Sequence, residues 1–438
     1  MKTLVSTIRS GRRNVDALVM VWCAVMCLTW PATVAAQTMV TSPSPLPQPP
    51  PSSQSLSLTR LQTLGQRLIT DRNLSEPAGT ACVSCHSAAT GFAGNHGSHI
   101  GVSLGSRPGV FGLRNAMSQA YQSFVPPFHF RVVDGDTDAV GGHFWDGRSD
   151  TMALQALGPF LANAEMNNPN AAAVVAKVAA SGYASLMRAE FGTGIFGTPD
   201  LAFQKLGVAI AAFEATTAFQ LFSSKYDMFV RGKIALSANE ERGMRLFMDP
   251  KRANCASCHL MKPSSSKPED SLFSDFAYYA TGIPRNRLIP DNANPGFYDL
   301  GLCGPKRSRP ALGANVPGTV SIEKFCGTFR MVSLRNVANR QAFMHNGVFK
   351  DLHEVVAFYS TRNSDPQRWY GRTGIPDDLP IAYQANIIND RPPFDRPKSA
   401  GPLLSQGEIQ DIVDFLGVLS DGYVPPLPPQ GPPRGPRR

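Results

Sequence analysis

Beyond its first 36 residues, this 438-residue chain has no apolar run of the roughly 20 residues that a membrane-spanning helix needs, so no stable membrane insertion is expected of its folded part. It also has no dense Lys/Arg run interleaved with aromatics, so a nucleic-acid partner would find no footprint. The formal charge of +9 overstates the basicity: without the four basic residues and Asp16 of the leader it is +6, and Arg434, Arg437 and Arg438 supply three of those. Cysteine and histidine are scarce, at 8 each, and outside two short motifs no pairs of them stand at zinc spacing.

What is present begins with Lys2, Arg9, Arg12 and Arg13, the apolar stretch "ALVMVWCAVMCLTW" and the small residues of "ATVAAQ". Residues 1–36 read as a secretory signal with cleavage near Ala36, which implies a periplasmic mature chain. The apolar stretch is short for an anchor, and Cys27 follows Met26 rather than the small residue of a lipid-attachment box. Residues 37–55 form a Pro/Ser-rich linker and residues 425–438 a basic, Pro-rich disordered tail. Between them lie about 370 residues, enough for two domains of the usual size, at 56–235 and 236–424.

Six cysteines remain after the leader. Four fall in "CVSCH", with Cys82, Cys85 and His86, and "CASCH", with Cys255, Cys258 and His259. Two cysteines three positions apart can form thioethers to the vinyl groups of one haem, and the adjacent imidazole can then ligate the iron. A single copy could be a zinc half-site or a redox pair; two copies in an exported chain point to two covalently bound c-type haems. Cys303 and Cys326, 23 positions apart in an exported chain, are expected to form a disulfide closing a loop, the alternative being two unpaired thiols.

The flanks of the two motifs also match. "LGQRLITD" precedes the first and "RGMRLFMD" the second. "FGLRNA" and "VSLRNVA" follow, then the aromatic turns "FWDG" at 144–147 and "FMHNG" at 343–347. Such repetition reads as internal duplication of a haem-binding helical unit. Helical spacing in "PNAAAVVAKVAASGYASLMRAEF", "AFQKLGVAIAAFEATTAFQLF" and "SQGEIQDIVDFLGVL", and a capping box at Ser237 and Glu240, make the fold mainly α. Two cytochrome c-like haem domains are therefore expected, joined and interrupted by long loops such as 262–330.

Twelve residues beyond Gly347 stands Tyr359, and twelve beyond Gly147 stands Pro159. Tyr can ligate iron and Pro cannot, so the second haem is expected to be closed and the first open. Gln155 and Glu165 flank Pro159. A carboxylate there can take a proton from bound peroxide and return it to the departing oxygen. On the residues alone, Glu165 reads equally as an exposed helix-end carboxylate, and Trp145 as a buried core indole.

Together these motifs resemble the bacterial di-haem cytochrome c peroxidases, including their MauG branch, which oxidises side chains of a partner protein. The resemblance covers most of 56–420 and rests on both pentads in order, "LRNA", "FWDGR", "QALGPFLANAEM", "LRNVANRQAFMHNG" and "LHEVVAFY". It implies His86 and His259 as proximal ligands and Glu165 as the acid/base, with Gln155 and Pro159 lining its pocket. It implies Trp145 between the haems. It also implies a calcium ion held by the Asn115 side chain and the carbonyls of Arg340 and Ala342.

Tyr359 stands where the family's peroxidases usually have Met and the MauG-like branch has Tyr, which favours oxidised iron. Met344 is the rival ligand, and His345 a structural or haem-edge residue. The histidine that blocks the first haem in many of the peroxidases is missing from "GSRPGVFGLRN", and His96 and His99 read as surface-loop residues. The implied function is a periplasmic peroxidase that reduces hydrogen peroxide at the N-terminal haem. Its electrons would come through the C-terminal haem from a small cytochrome c or cupredoxin. The alternatives are a MauG-like enzyme acting on Tyr or Trp side chains of a protein substrate, and a non-enzymatic di-haem electron carrier.

Overall fold

Regular structure begins at Thr59, whose hydroxyl accepts from the Gln62 N–H while the Gln62 side chain accepts from the Thr59 N–H. This reciprocal cap satisfies two of the donors a helix start leaves open. The structure is a computed structural model and describes residues 57–133, 135–307 and 320–425, all within the unit Pro49–Arg438. The expected leader (1–36) and linker (37–55), and the expected tail from residue 426 on, lie outside the described residues.

The first helices are α1 (Arg60–Thr70), α2 (Cys82–Cys85), α3 (Met152–Leu161), α4 (Ala171–Ala179), α5 (Ala184–Phe191), α6 (Pro199–Glu214) and α7 (Lys225–Val230). Then come α8 (Ala238–Met248), α9 (Leu352–Thr361), α10 (Pro366–Tyr370) and α11 (Gln406–Gly417). Helix α6 is the hub of the first set and packs against α1, α3 and α4 over a core that includes Leu64, Leu68, Phe160, Val174, Leu206 and Ile210. In the second set α8 packs on α11, and α11 on α9, over Phe247, Phe273, Phe358 and Phe415.

Three crossings are unusually close, one of them where a Cβ on Gly207 of α6 would lie 2.2 Å from the Ala153 carbonyl oxygen of α3. A Cβ on Gly65 of α1 would lie 2.0 Å from the Ala209 carbonyl oxygen of α6, and one on Gly243 of α8 would lie 1.8 Å from that of Asp411 in α11. The expected cap at Ser237 and Glu240 is present at the start of α8. The long run of helical spacing at 169–191 is two helices rather than one. After Ala180 the Ser181 hydroxyl turns back to the Val178 carbonyl, and Gly182, a poor helix former, follows.

The sheets are small. Strands β1 (His129–Val133) and β2 (Asp136–Val140) form one antiparallel hairpin, and β3 (Tyr278–Tyr279) pairs with β4 (Phe329–Arg330). Val140 bridges to Ala277 and so joins the two. The aromatic turns share a shape: Phe144 and Met344 are left-handed (φ 67° and 69°), inside the bridges His143–Ser149 and Phe343–Phe349. Cys303 and Cys326 are joined as a disulfide with their Cα atoms 4.9 Å apart.

Candidate active site

The short helix α2 presents Cys82, Cys85 and His86 to a cavity of about 470 Å³. The His86 Nδ1 lies 2.9 Å from the Phe92 carbonyl oxygen. A ring that donates there carries its lone pair on Nε2, the tautomer a metal ligand needs; that nitrogen lies 3.5 Å from the Gln119 amide nitrogen. Burial lowers the His86 pKa and pushes the Cys82 thiol up to about 12. A redox-active or nucleophilic pair would require lowered values instead.

The same cavity is walled by α3 and the turn after it. Gln155 and Pro159, four residues apart, share one face of α3, and both line the cavity with Glu165. The turn is held by the Glu165 N–H on the Ala162 carbonyl (2.9 Å) and by the Ser106 N–H on the Glu165 carbonyl (2.7 Å). The Glu165 side chain is exposed by surface area, yet its carboxyl is surrounded by protein: what it faces is the cavity. Burial raises its pKa, while the cations Arg148 and Lys306 pull the other way.

A second cavity, of about 150 Å³, is lined by Cys255, His259, Met344 and Tyr359. His259 repeats the His86 arrangement, with Nδ1 2.9 Å from the Phe273 carbonyl oxygen, and burial lowers its pKa to about 4. Cys258 is not among the lining residues and lies beside Tyr279, which is. Tyr359 and Met344 both reach this cavity, and burial raises the Tyr359 phenol. His345 is buried, stacked on Phe329 at 3.6 Å between ring centroids, with Nε2 3.2 Å from Asp378. His96 binds the Leu104 carbonyl through Nδ1 and His99 is exposed; neither lines a cavity.

Trp145 and Asn115 line both cavities. The indole N–H donates to the Asn115 carbonyl (2.8 Å), and Arg330 of β4 donates its backbone N–H to the Trp145 carbonyl (2.9 Å). The Asn115 amide nitrogen donates to the carbonyls of Ala342 (2.9 Å) and Met344 (3.3 Å), and Arg340 lines the second cavity beside them.

Four side chains of this region escaped the sequence reading, which used Arg340 only through its carbonyl. Arg330 and Arg340 line the second cavity, and burial lowers each guanidinium to about 10. Neither has a carboxylate within ion-pair distance among the described residues, and the Arg340 Nε is buried without a partner. Buried cations need counter-charge, and the propionates of a haem are anions of the right kind. Thiols, imidazoles in the ligating tautomer and guanidiniums without counter-charge together fit a covalently held haem in each cavity. The other two, His143 and Glu214, line the first cavity; burial lowers His143 to about 4 and raises Glu214 to about 8. Only the place of His143, just before "FWDG", could have signalled any of the four.

The model of the family described as "Di-haem cytochrome c peroxidase" matches residues 59–235. The methylamine utilization protein MauG of Paracoccus denitrificans is 33% identical over 375 residues, covering 84% of this chain and 90% of that protein. The chain belongs to the di-haem cytochrome c peroxidase family. Within it, the cytochrome c551 peroxidase of Pseudomonas aeruginosa is 26% identical over 337 residues, covering 76% of this chain and 80% of the relative. The crystal structure of the diheme peroxidase BthA from Burkholderia thailandensis superposes with a TM-score of 0.77 at 38% identity, covering 85% of this chain and 87% of that one. Membership implies two c-type haems and oxidoreductase chemistry, with relatives named both as peroxidases and as MauG. The mainly helical architecture with its few small sheets agrees. No helix among the described residues is long and apolar enough to cross a membrane.

Proposed function

We propose that this protein is an exported di-haem peroxidase that reduces hydrogen peroxide in the first cavity, with electrons delivered through the second. The observation that carries the reading is the unequal furnishing of the two cavities. Glu165, Gln155 and Pro159 line the one that holds Cys82, Cys85 and His86, whereas Tyr359 and Met344 line the other. The first is also the roomier of the two, at about 470 Å³ against about 150 Å³.

Cys82 and Cys85 would attach one haem and Cys255 and Cys258 the other, with His86 and His259 as ligands and Tyr359 completing the second; bound haem supplies the redox-active iron at which peroxide accepts electrons. Glu165 takes the proton from the attacking peroxide oxygen and returns it to the leaving one, a role that needs a carboxyl able to exist in both states. Its surroundings favour that: burial opposes the charge, and Arg148 with Lys306 restores it. Gln155 can donate an amide hydrogen bond to the substrate, and Pro159 offers no atom that could cap the site. Trp145, walled into both cavities, couples them.

The matching flanks, the paired glycine crossings and the shared shape of the aromatic turns support an internal duplication, with domains at 56–235 and 236–424. Asn115 and the Arg340 and Ala342 carbonyls would hold calcium. That requires the Asn115 amide to turn its oxygen toward the ion, an orientation interchangeable with the present one at the level of atom placement. Export by the 1–36 leader into the periplasm, and a small cytochrome c or cupredoxin as donor, complete the reading.

A MauG-like oxidation of Tyr or Trp side chains in a partner protein is the second reading. It is favoured by Tyr359 and by the 33% identity to a methylamine utilization protein. An electron-carrier role has no use for the larger, acid-equipped cavity. Electron paramagnetic resonance of the ferric holoprotein, before and after one equivalent of hydrogen peroxide, tests the proposal. One high-spin and one low-spin signal, both lost on peroxide addition, are expected; two low-spin signals indifferent to peroxide would refute an open site. Steady-state assays with reduced cytochrome c then separate peroxidase from partner oxidation.

A further inference from the structure

Outside the proposed peroxide site, one phenol sits against the second cofactor's attachment point with a proton acceptor already in place. Tyr279 ends β3 and lines the second cavity. Its hydroxyl donates to Asp275 Oδ2 at 2.5 Å and lies beside the Cys258 sulfur. Asp275 is fixed on both sides: its backbone N–H donates to the Cys258 carbonyl (2.9 Å), and its Oδ1 accepts from the Ala277 N–H (2.9 Å). Phenol, carboxylate and thioether-forming cysteine therefore make one rigid cluster. Tyr279 and Asp275 are both half-buried, and the Arg131 and Arg391 charges are felt at the cluster from the solvent side.

We infer that Tyr279, with Asp275 as its proton acceptor, is a redox relay that carries oxidising equivalents from the second haem to the protein surface. The inference rests on the reading that the second cavity holds a haem bound through Cys258. A sulfur bonded to the macrocycle puts the phenol one contact from the cofactor's covalent frame.

A neutral phenol loses an electron readily only if its proton leaves as well, because the phenol radical cation is a very strong acid. Hydrogen peroxide takes two electrons and two protons to become two waters, leaving the enzyme oxidised by two equivalents. Tyr279 gives one electron to the oxidised haem pair; its O–H bond breaks, and a new O–H bond forms on the Asp275 carboxylate. A neutral tyrosyl radical remains. An external one-electron donor refills it while the proton returns from Asp275. Burial raises the Asp275 pKa and so makes it a better proton acceptor than an exposed carboxylate.

The experiment is freeze-quench electron paramagnetic resonance on the holoprotein, prepared with ring-deuterated tyrosine and mixed with hydrogen peroxide in the absence of any donor. In the wild type, a radical signal narrowed by the deuteration is expected as the ferric haem signals disappear. Tyr279→Phe and Asp275→Asn should each lose the radical signal, while their ferric signals still respond to peroxide and their optical spectra and haem content match the wild type. An unchanged tyrosyl signal in Tyr279→Phe overturns the relay. So does a wild type whose ferric signals vanish with no tyrosyl signal. Ferric signals that ignore peroxide in the wild type overturn the peroxidase reading, and the relay with it.

Discussion

At the residue scale, the first cavity turns on one carboxyl. Glu165→Gln keeps the size of the side chain and removes its ability to exchange a proton. Turnover should fall roughly 10²–10⁴-fold, with haem content unchanged, as measured by steady-state peroxide consumption and a haem assay. Glu165 acts first as a base, so activity requires its ionised form and falls as pH drops through its pKa. That pKa is raised, so the acidic limb of kcat/KM should lie above the ordinary carboxylate range. Arg148 pulls it down, and Arg148→Leu should move the limb to still higher pH; a limb that stays in place would remove Arg148 from the site's electrostatics. In the second cavity, Tyr359→Phe should change the low-spin signal and the optical spectrum, whereas an effect confined to Met344→Leu would assign the ligand to Met344.

Much of this chemistry was legible because it is written in local strings: two C-x-x-C-H pentads, and Gln155, Pro159 and Glu165 within one "QALGPFLANAEM". The side chains of Arg330, Arg340, His143 and Glu214 were not. A buried arginine is informative only when its missing partner is noticed, and a string of letters does not record which partners are absent.

At the element scale, the fold depends on three places where helices meet almost backbone to backbone, at Gly65, Gly207 and Gly243. Gly243→Ala would place a methyl group 1.8 Å from the Asp411 carbonyl oxygen of α11. It should cost about 1–3 kcal/mol, as other overpacking substitutions do, read as a lower midpoint in chemical denaturation. Gly65→Ala should behave similarly at the α1–α6 crossing, where the distance is 2.0 Å. Both glycines were visible in the matching "LGQRL" and "RGMRL" flanks, though only as repetition; the close approach that demands them belongs to the packed structure. The cap of α8 was legible because Ser237 and Glu240 act over three residues. The break between α4 and α5 was not, because apolar spacing continues through it and only the Ser181 hydroxyl and Gly182 interrupt.

At the scale of the whole molecule, the disulfide between Cys303 and Cys326 closes a loop across 23 positions. In the chain-entropy view a loop of this size contributes about 3 kcal/mol. Non-reducing mass spectrometry should find the pair linked, and reduction should lower the denaturation midpoint accordingly. The family could be read from the order of its motifs along the chain, since that order survives where overall identity is low. Which substrate is oxidised could not, because docking surfaces are assembled from residues far apart in sequence.

Trp145 gives its N–H to the Asn115 carbonyl, and a carbonyl oxygen is far too weak a base to keep a proton. On the proposed route, the indole can therefore pass charge between the cavities only while holding its own hydrogen. Charge that arrives there has no place to settle and must move on at once. Trp145 would act as a wire, and any store of oxidising power in this protein has to lie at its ends.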